Sequence, residues 1–297
     1  MQTKRQIQQL LASANIRPNK RLGQHFLIDK NLMRLLLDSA NIQSDDVVLE
    51  VGCGTGSLTE ALVQKAGRTI AVELDRNLTE IASKQLSEAT NLKLINTDIL
   101  KNKNLISPVV TEALQSARRD CHGRILLVSN LPYNVASPVI MNLITGPVAV
   151  DGINVTVQKE VADRMTAMSG GRDYGILSIL IQANGDVKTI RILKPTVFWP
   201  QPQVDSAMVS FHRDREKSAR ITDMELFGHL VNLFMSHRRK TLLASSKLTS
   251  GELIKNWPQI FEKCSIDPKK RPEQLSVEDY INITNALRIS DFDHAKQ

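Results

Sequence analysis

Cysteine is scarce in this chain: three residues in 297, at positions 53, 121 and 264. Their wide spacing forms neither a disulfide framework nor a paired zinc-ligand pattern, and such usage predicts a reducing, cytoplasmic setting. The six histidines are dispersed, so the sequence predicts no metal centre. Long apolar runs are missing as well. Each candidate is broken by Asn, Gly or Lys before it approaches the roughly 18 residues of a membrane helix. No hydrophobic stretch of a secretory leader, no internal repeat and no low-complexity tract is visible. What remains is ordinary for a globular protein, with 42% hydrophobic and 23% charged residues, which excludes a wholly disordered chain. The length permits one full α/β core with a smaller appended domain.

The net charge of +7 is unevenly spread. Residues 1–30 carry +5 and residues 213–297 carry +3, leaving residues 31–212 at −1. A near-neutral core between basic ends suggests a catalytic unit whose extremities touch a polyanion. Surplus lysine that serves only solubility gives the same total. The basic, acid-poor start also shares its composition with mitochondrial presequences. Against that, Ile7, Leu10 and Leu11 are spaced as a short amphipathic helix ending near Asn15, and Pro18 follows as a breaker. The apolar run at 22–27 then continues the segment. Residues 1–30 are therefore read as a native arm.

From residue 31, helix and strand patterns alternate. Short apolar runs at 47–51, 69–72, 92–96, 125–129 and 155–158 read as strands, with helical spacings such as Leu32, Leu35, Leu36 and Ser39 between them. Recurring β–α units imply an α/β fold built on a parallel, doubly wound sheet. Residues 187–193 and 207–211 read as a closing antiparallel pair. After His212 the strand pattern stops, and helical periodicity begins at Leu226, Phe227, Leu230, Val231 and Phe234. The expected organisation is a basic arm over 1–30, an α/β catalytic domain over 31–212 and a small all-α domain over 213–297.

Three motifs carry chemistry. Glu50-Val51-Gly52-Cys53-Gly54-Thr55-Gly56 ends a strand and opens a helix, where glycines let backbone N–H groups approach a ligand closely. A dinucleotide fingerprint places its third glycine one residue later, at Ser57, so a NAD-dependent oxidoreductase is disfavoured. Glu73 follows the next strand, 21 positions after Gly52, where a carboxylate accepts hydrogen bonds from ribose hydroxyls. Asp98 follows the third strand and Asn130 the fourth, so polar groups gather at the carboxyl ends of successive strands. Finally, Asn130-Leu131-Pro132-Tyr133 suits attack by an aromatic amine. Accepting that amine's hydrogens draws its nitrogen toward tetrahedral geometry and aims its lone pair, and Tyr133 offers a face on which an extruded base stacks. Each feature alone has a plain structural reading: a strand–helix turn, a solvated acid, an Asn-x-Pro turn before a core tyrosine.

Together these motifs resemble the KsgA/RsmA family of ribosomal RNA adenine N6,N6-dimethyltransferases. The resemblance spans about residues 17–250 and is densest at 22–27, 50–56, 72–75, 130–134 and 198–206. It implies a Rossmann-like S-adenosylmethionine-dependent methyltransferase domain with a small all-α C-terminal domain. By resemblance, His25 and Leu27 contact S-adenosyl-L-methionine from the arm, Gly52 its methionine portion, Glu73 the ribose and Asp98 the adenine. Asn130 borders both the cofactor and the target amine. Phe198 matches the aromatic that closes the other face of the base from Tyr133, which makes Asn130, Tyr133 and Phe198 the expected catalytic set.

The implied reaction is dimethylation of two adjacent adenosines in the 3′-terminal hairpin loop of small-subunit (16S) RNA during ribosome biogenesis. The expected partner is that RNA or a pre-30S particle, the protein acting as a cytoplasmic monomer. Two readings stand beside it: a large-subunit (23S) adenine methyltransferase of the macrolide-resistance type, and a non-catalytic RNA-binding assembly or transcription factor. Members of the former more often carry Ile where this chain has Leu131. His25 stands where Asn is commoner in the family, and the stretch after Phe198 has gained Trp199 and lost a proline. The basic runs 237–240 and 269–271 suit phosphate contacts. Lys20 with Arg21, and Arg238 with Arg239, are the expected carriers of RNA affinity.

Overall fold

Val47–Val51 shows no polar alternation, and all five of its residues are buried, as in a strand covered on both faces. In the computed structural model, which describes residues 1–19, 22–248 and 257–294, that strand is the pivot of the main sheet. In chain order the first elements are α1 (Lys4–Ser13), β1 (Phe26–Leu27), α2 (Lys30–Ala40), β2 (Val47–Val51), α3 (Thr59–Val63), β3 (Arg68–Glu73), α4 (Arg76–Gln85) and β4 (Leu92–Asn96). A small hairpin, β5 (Leu100–Asn102) and β6 (Leu105–Ile106), precedes α5 (Pro108–Asp120), β7 (Ile125–Asn130), α6 (Ala136–Thr145), β8 (Gly152–Gln158) and α7 (Lys159–Thr166). Then come α8 (Ile176–Asn184), β9 (Gly185–Leu193), β10 (Phe198–Trp199) and β11 (Ser206–Arg213). The helices α9 (Arg215–Ala219), α10 (Met224–Ser236), α11 (Leu242–Ser246), α12 (Trp257–Lys263) and α13 (Val277–His294) follow. No described helix is long and apolar enough to cross a membrane.

The main sheet has seven strands in the order β4-β3-β2-β7-β8-β11-β9. The first five are parallel neighbours, and β11 returns antiparallel to β8. The last two strands, read from the sequence as a closing pair, are neighbours at one end of the sheet. The chain steps outward from β2 to β3 and β4, then crosses to the other side for β7 and β8. That reversal opens a crevice above the carboxyl ends of β2 and β7, where open α/β sheets bind ligands. Below it, Leu32, Met33, Leu36, Leu37 and Ala40 of α2 pack with Val48, Leu126, Val128 and Met208 in one buried cluster. Asp29 and Asp75 cap α2 and α4 by accepting from backbone N–H groups of their first turns.

Two compact units emerge: Met1–Ala162 with Lys188–His212, and Asp163–Val187 with Arg213–Gln297. This differs from the sequence reading in two places. The arm belongs to the first unit, because Ile7 and Leu11 of α1 are buried against Leu78 and Ile81 of α4. Asp163–Val187, expected in the catalytic domain, belongs to the helical unit. Its helix α8 buries Leu177, Ile179, Leu180, Ile181 and Ala183, an apolar surface too wide for one face, and packs on α10 and α13.

Candidate functional site

The loop after β2 passes three times through left-handed backbone, with φ of +76° at Gly52, +59° at Gly54 and +83° at Gly56. A Cβ on Gly52 would meet Pro132 Cγ at 2.8 Å, and one on Gly54 would meet Phe26 Cε1 at 2.9 Å. Both glycines are thus required by conformation and by close neighbours. The loop lies between the arm and the turn after β7.

Two buried carboxylates sit beneath it. Glu73 ends β3 at 6% exposure. One of its oxygens accepts from Gly54 N at 2.9 Å and the other from Asp75 N at 2.9 Å, so it ties the glycine loop to the start of α4. Glu50 is deeper, at 2% exposure, and accepts from Thr59 Oγ1 at 2.6 Å. Burial, which outweighs the Thr59 hydrogen bond and is helped by the Glu73 charge, pushes the Glu50 carboxyl up to about 8. Burial raises Glu73 as well. The Cys53 thiol is driven well above its ordinary range by burial and by both acids, so it stays neutral and unreactive. Asp98 is exposed, and its Oδ1 accepts from Leu100 N at 2.9 Å.

Asn130 closes β7 with its carboxamide held at both ends. Its Nδ2 donates to the His25 carbonyl at 2.7 Å, and its Oδ1 accepts from the Thr156 hydroxyl. Tyr133 is half-buried, its hydroxyl 2.6 Å from Ser206 Oγ. Its ring stacks on His25, with centroids 5.4 Å apart and planes 27° apart. His25 is oriented in turn by Pro200, whose carbonyl lies 2.7 Å from Nδ1; a carbonyl only accepts, so Nδ1 carries the hydrogen.

The six residues read as cofactor contacts, His25, Leu27, Gly52, Glu73, Asp98 and Asn130, line one cavity, and Tyr133 joins them. Phe198 does not. It pairs with Leu27 across β1 and β10, is 1% exposed, and packs in the cluster with Leu27, Leu36 and Met208. Strand alternation sends the next residue, Trp199, the other way, onto Phe26 at 6.2 Å. The expected second face of a base clamp at Phe198 is therefore corrected: its ring is core. Glu50, Glu73 and Asp98 all line the cavity, while no Lys or Arg does among the described residues. Burial keeps a proton on Glu50, so Glu73 and Asp98 are the acids that favour a cationic ligand over a pyrophosphate here. Among the described residues no group of three or more His, Cys, Asp or Glu is arranged to hold a metal.

A family model for ribosomal RNA adenine dimethylases matches residues 15–288. The chain belongs to the ribosomal RNA adenine dimethylase family. It is 36% identical over 272 residues to a Geobacillus protein named ribosomal RNA small subunit methyltransferase A, covering 91% of each chain. A crystal structure of a dimethyladenosine transferase from Plasmodium falciparum superposes with a TM-score of 0.72 at 24% identity, covering 90% of this chain and 98% of that one. A 23S rRNA methyltransferase, ErmE, gives 0.60 at 20% identity, covering 89% and 99%. At these identities the two structures show a shared fold alone: a Rossmann-like domain with a helical C-terminal part.

In this adenine dimethylase family member, several groups that motif reading passed over complete the site. Gln2 donates to the Thr55 carbonyl at 3.1 Å and accepts from Thr55 Oγ1 at 2.6 Å. Gln24 donates to Asp75 Oδ2 at 3.1 Å. Nothing local marks Gln2, and Gln24, although inside the 22–27 motif, shows no role there, since these partners lie more than fifty positions away. Glu50 was visible within the glycine motif, and its burial follows from the lack of alternation in β2. Lys20 and Arg21 lie outside the described residues. Within the helical unit, Arg238 is corrected from a free phosphate contact. Its guanidinium donates to Glu273 at 2.9 Å and to the Arg172 carbonyl at 3.3 Å. Arg239 and Lys240 are exposed, as are Lys269, Lys270 and Arg271. Hydrogen bonds from Leu242 N to the Lys270 carbonyl and from Leu243 N to the Pro268 carbonyl bring the two basic runs together.

Proposed function

We propose that this chain transfers methyl groups from S-adenosyl-L-methionine to N6 of two adjacent adenosines in the 3′-terminal hairpin loop of small-subunit rRNA. The observation that carries the reading is the cavity: Glu73 and Asp98 beside a protonated Glu50, no Lys or Arg among the described lining residues, a tight glycine loop, and Asn130 with Tyr133 on its wall. S-adenosyl-L-methionine fits that donor set, because it couples a purine nucleoside to a sulfonium and an ammonium. Glu73 and Asp98 would hold its ribose and adenine, the glycine loop its amino-acid portion, and it would supply an electrophilic methyl group.

The protein's own part is orientation. Asn130 Oδ1 keeps a second lone pair beyond the Thr156 hydroxyl, and there accepts a hydrogen from the target N6. That bond strengthens as the nitrogen becomes tetrahedral, so it lowers the barrier. Tyr133, anchored through Ser206, supplies a stacking surface for the extruded base. No general base is assigned, because the methylated adenosinium is strongly acidic and releases its proton to water.

The similarity to ErmE is one of fold and favours neither subunit. The name of the 36%-identical relative supports the small one. We read the protein as a monomer acting in the cytoplasm on RNA or a pre-30S particle. The test is to incubate it with labelled cofactor and separated ribosomal subunits, then map the modified nucleotides. N6,N6-dimethyladenosine in small-subunit RNA is expected. Label in large-subunit RNA alone, or cofactor binding without transfer, overturns the proposal.

A further inference from the structure

We infer that Thr156 is the positioning residue that aims Asn130: with the NH2 end fixed by the His25 carbonyl, its hydroxyl holds Oδ1 and sets the direction of the lone pair that faces the reacting amine. The inference rests on the function proposed above. β7 and β8 are parallel neighbours, and their register sets Asn130 directly beside Thr156. The Thr156 side chain is fully buried, and its hydroxyl donates to Asn130 Oδ1. At the other end, Asn130 Nδ2 donates to the His25 carbonyl at 2.7 Å.

The two ends of a carboxamide are nearly alike in shape and opposite in chemistry. The His25 carbonyl only accepts, so the end that faces it is the NH2. That leaves Oδ1 at the Thr156 end, with one lone pair taken by the hydroxyl and one available to the target amine. Turned over, the same side chain would present N–H donors to an amine that needs an acceptor. A hydroxyl donates or accepts, so the His25 carbonyl selects the end, and the buried Thr156 hydroxyl, donating to Oδ1, holds that end in one direction. Ser206 works from the same face of the β8–β11 pair: Thr156 lies opposite Met208 and Ser206 opposite Gln158, and the Ser206 hydroxyl holds Tyr133. Both chemistry-bearing side chains are thus held by hydroxyls on rigid strands rather than on loops.

Thr156→Val keeps size and branching and removes the hydroxyl, whereas Thr156→Ser keeps the hydroxyl. We expect kcat of Thr156→Val on small-subunit RNA to fall about tenfold, roughly the effect of one hydrogen bond, with KM and cofactor affinity within about twofold of wild type. Thr156→Ser should recover most of the rate. A wild-type kcat in Thr156→Val overturns the inference. So does a loss that Thr156→Ser shares, or one that tracks cofactor binding or melting temperature, since each marks a packing role.

A readout without turnover is the side-chain amide pair of Asn130 in nitrogen–proton spectra, assigned by its loss in Asn130→Ala. It should shift in Thr156→Val and little in Thr156→Ser, and an unmoved pair in Thr156→Val also overturns the inference. Failure of the proposed function looks different: wild-type protein would leave small-subunit RNA unmodified while the amide pair still responded to Thr156→Val.

Discussion

In the proposed reaction Asn130 and Tyr133 would meet the target in different ways, so their variants should separate kinetically. Asn130→Ala removes a hydrogen bond that matters most in the transition state, so it should lower kcat with little change in RNA affinity. Tyr133→Ala should instead raise KM, since base stacking at about 1–3 kcal/mol offsets the cost of extrusion. Single-turnover kinetics with cofactor calorimetry in parallel distinguishes the two. Phe198→Ala tests whether that ring is core: if so, it should cost about 3–5 kcal/mol of stability in denaturant melts, whereas a base clamp would leave stability nearly intact. Glu50 carries a pH signature. Its carboxyl is pushed up to about 8 by burial, so the folded chain holds a proton that the unfolded chain releases near its ordinary carboxylate range, about 4.3. Stability from this group is complete below that range and is lost as pH rises toward about 8. Melting temperature of the ligand-free protein should therefore decline across that window. Glu50→Gln should flatten the decline, and an unchanged profile in that variant would remove Glu50 as its source.

Among the elements, the arm is the one whose role in the site depends most on docking. Its helix α1 is short and would be marginal alone, and it is held by Ile7 and Leu11 against α4 and by Gln2 on Thr55. The amphipathic spacing of α1 was readable from the sequence, because a period of 3.6 needs no partner to be recognised. What it packs against was not, since α4 lies some seventy positions on. Truncating both apolar anchors, as Ile7→Ala with Leu11→Ala, should release the arm and weaken cofactor binding about tenfold or more, at a buried-side-chain cost of roughly 2–5 kcal/mol each. Calorimetry reads the affinity. Melting of the sheet, which packs a separate buried cluster against α2, should move far less.

For the molecule as a whole, the prediction from the unequal charge is that the basic ends carry RNA affinity. In the helical unit Arg239, Lys240, Lys269 and Lys270 are all exposed, while Arg238 is engaged by Glu273. Replacing Arg239 and Lys240 by Ala should flatten the salt dependence of RNA binding, by about 0.7–0.9 in log–log slope for each phosphate that is no longer neutralised. Arg238→Ala should leave that slope nearly unchanged and lower the stability of the unit instead. Titrations at several salt concentrations decide this, and an equal slope change in all variants would mean that Arg238 reaches phosphate after all.

The sequence by itself determined the fold class, the place of the cavity and the family. Strand and helix periods are local, and Gly52, Glu73, Asp98 and Asn130 each follow a predicted strand, so a parallel sheet carries them to one edge. Tertiary structure decided the rest. Register between β1 and β10 turned Phe198 inward, and register between β7 and β8 set Thr156 beside Asn130. Burial kept a proton on Glu50, and packing of the 168–173 loop and the residues around Glu273 gave the Arg238 guanidinium partners within the protein. Each of these depends on which distant residue becomes a neighbour. Side-chain chemistry states what a residue is able to do, and only the packed chain sets the partner and dielectric that select among those options.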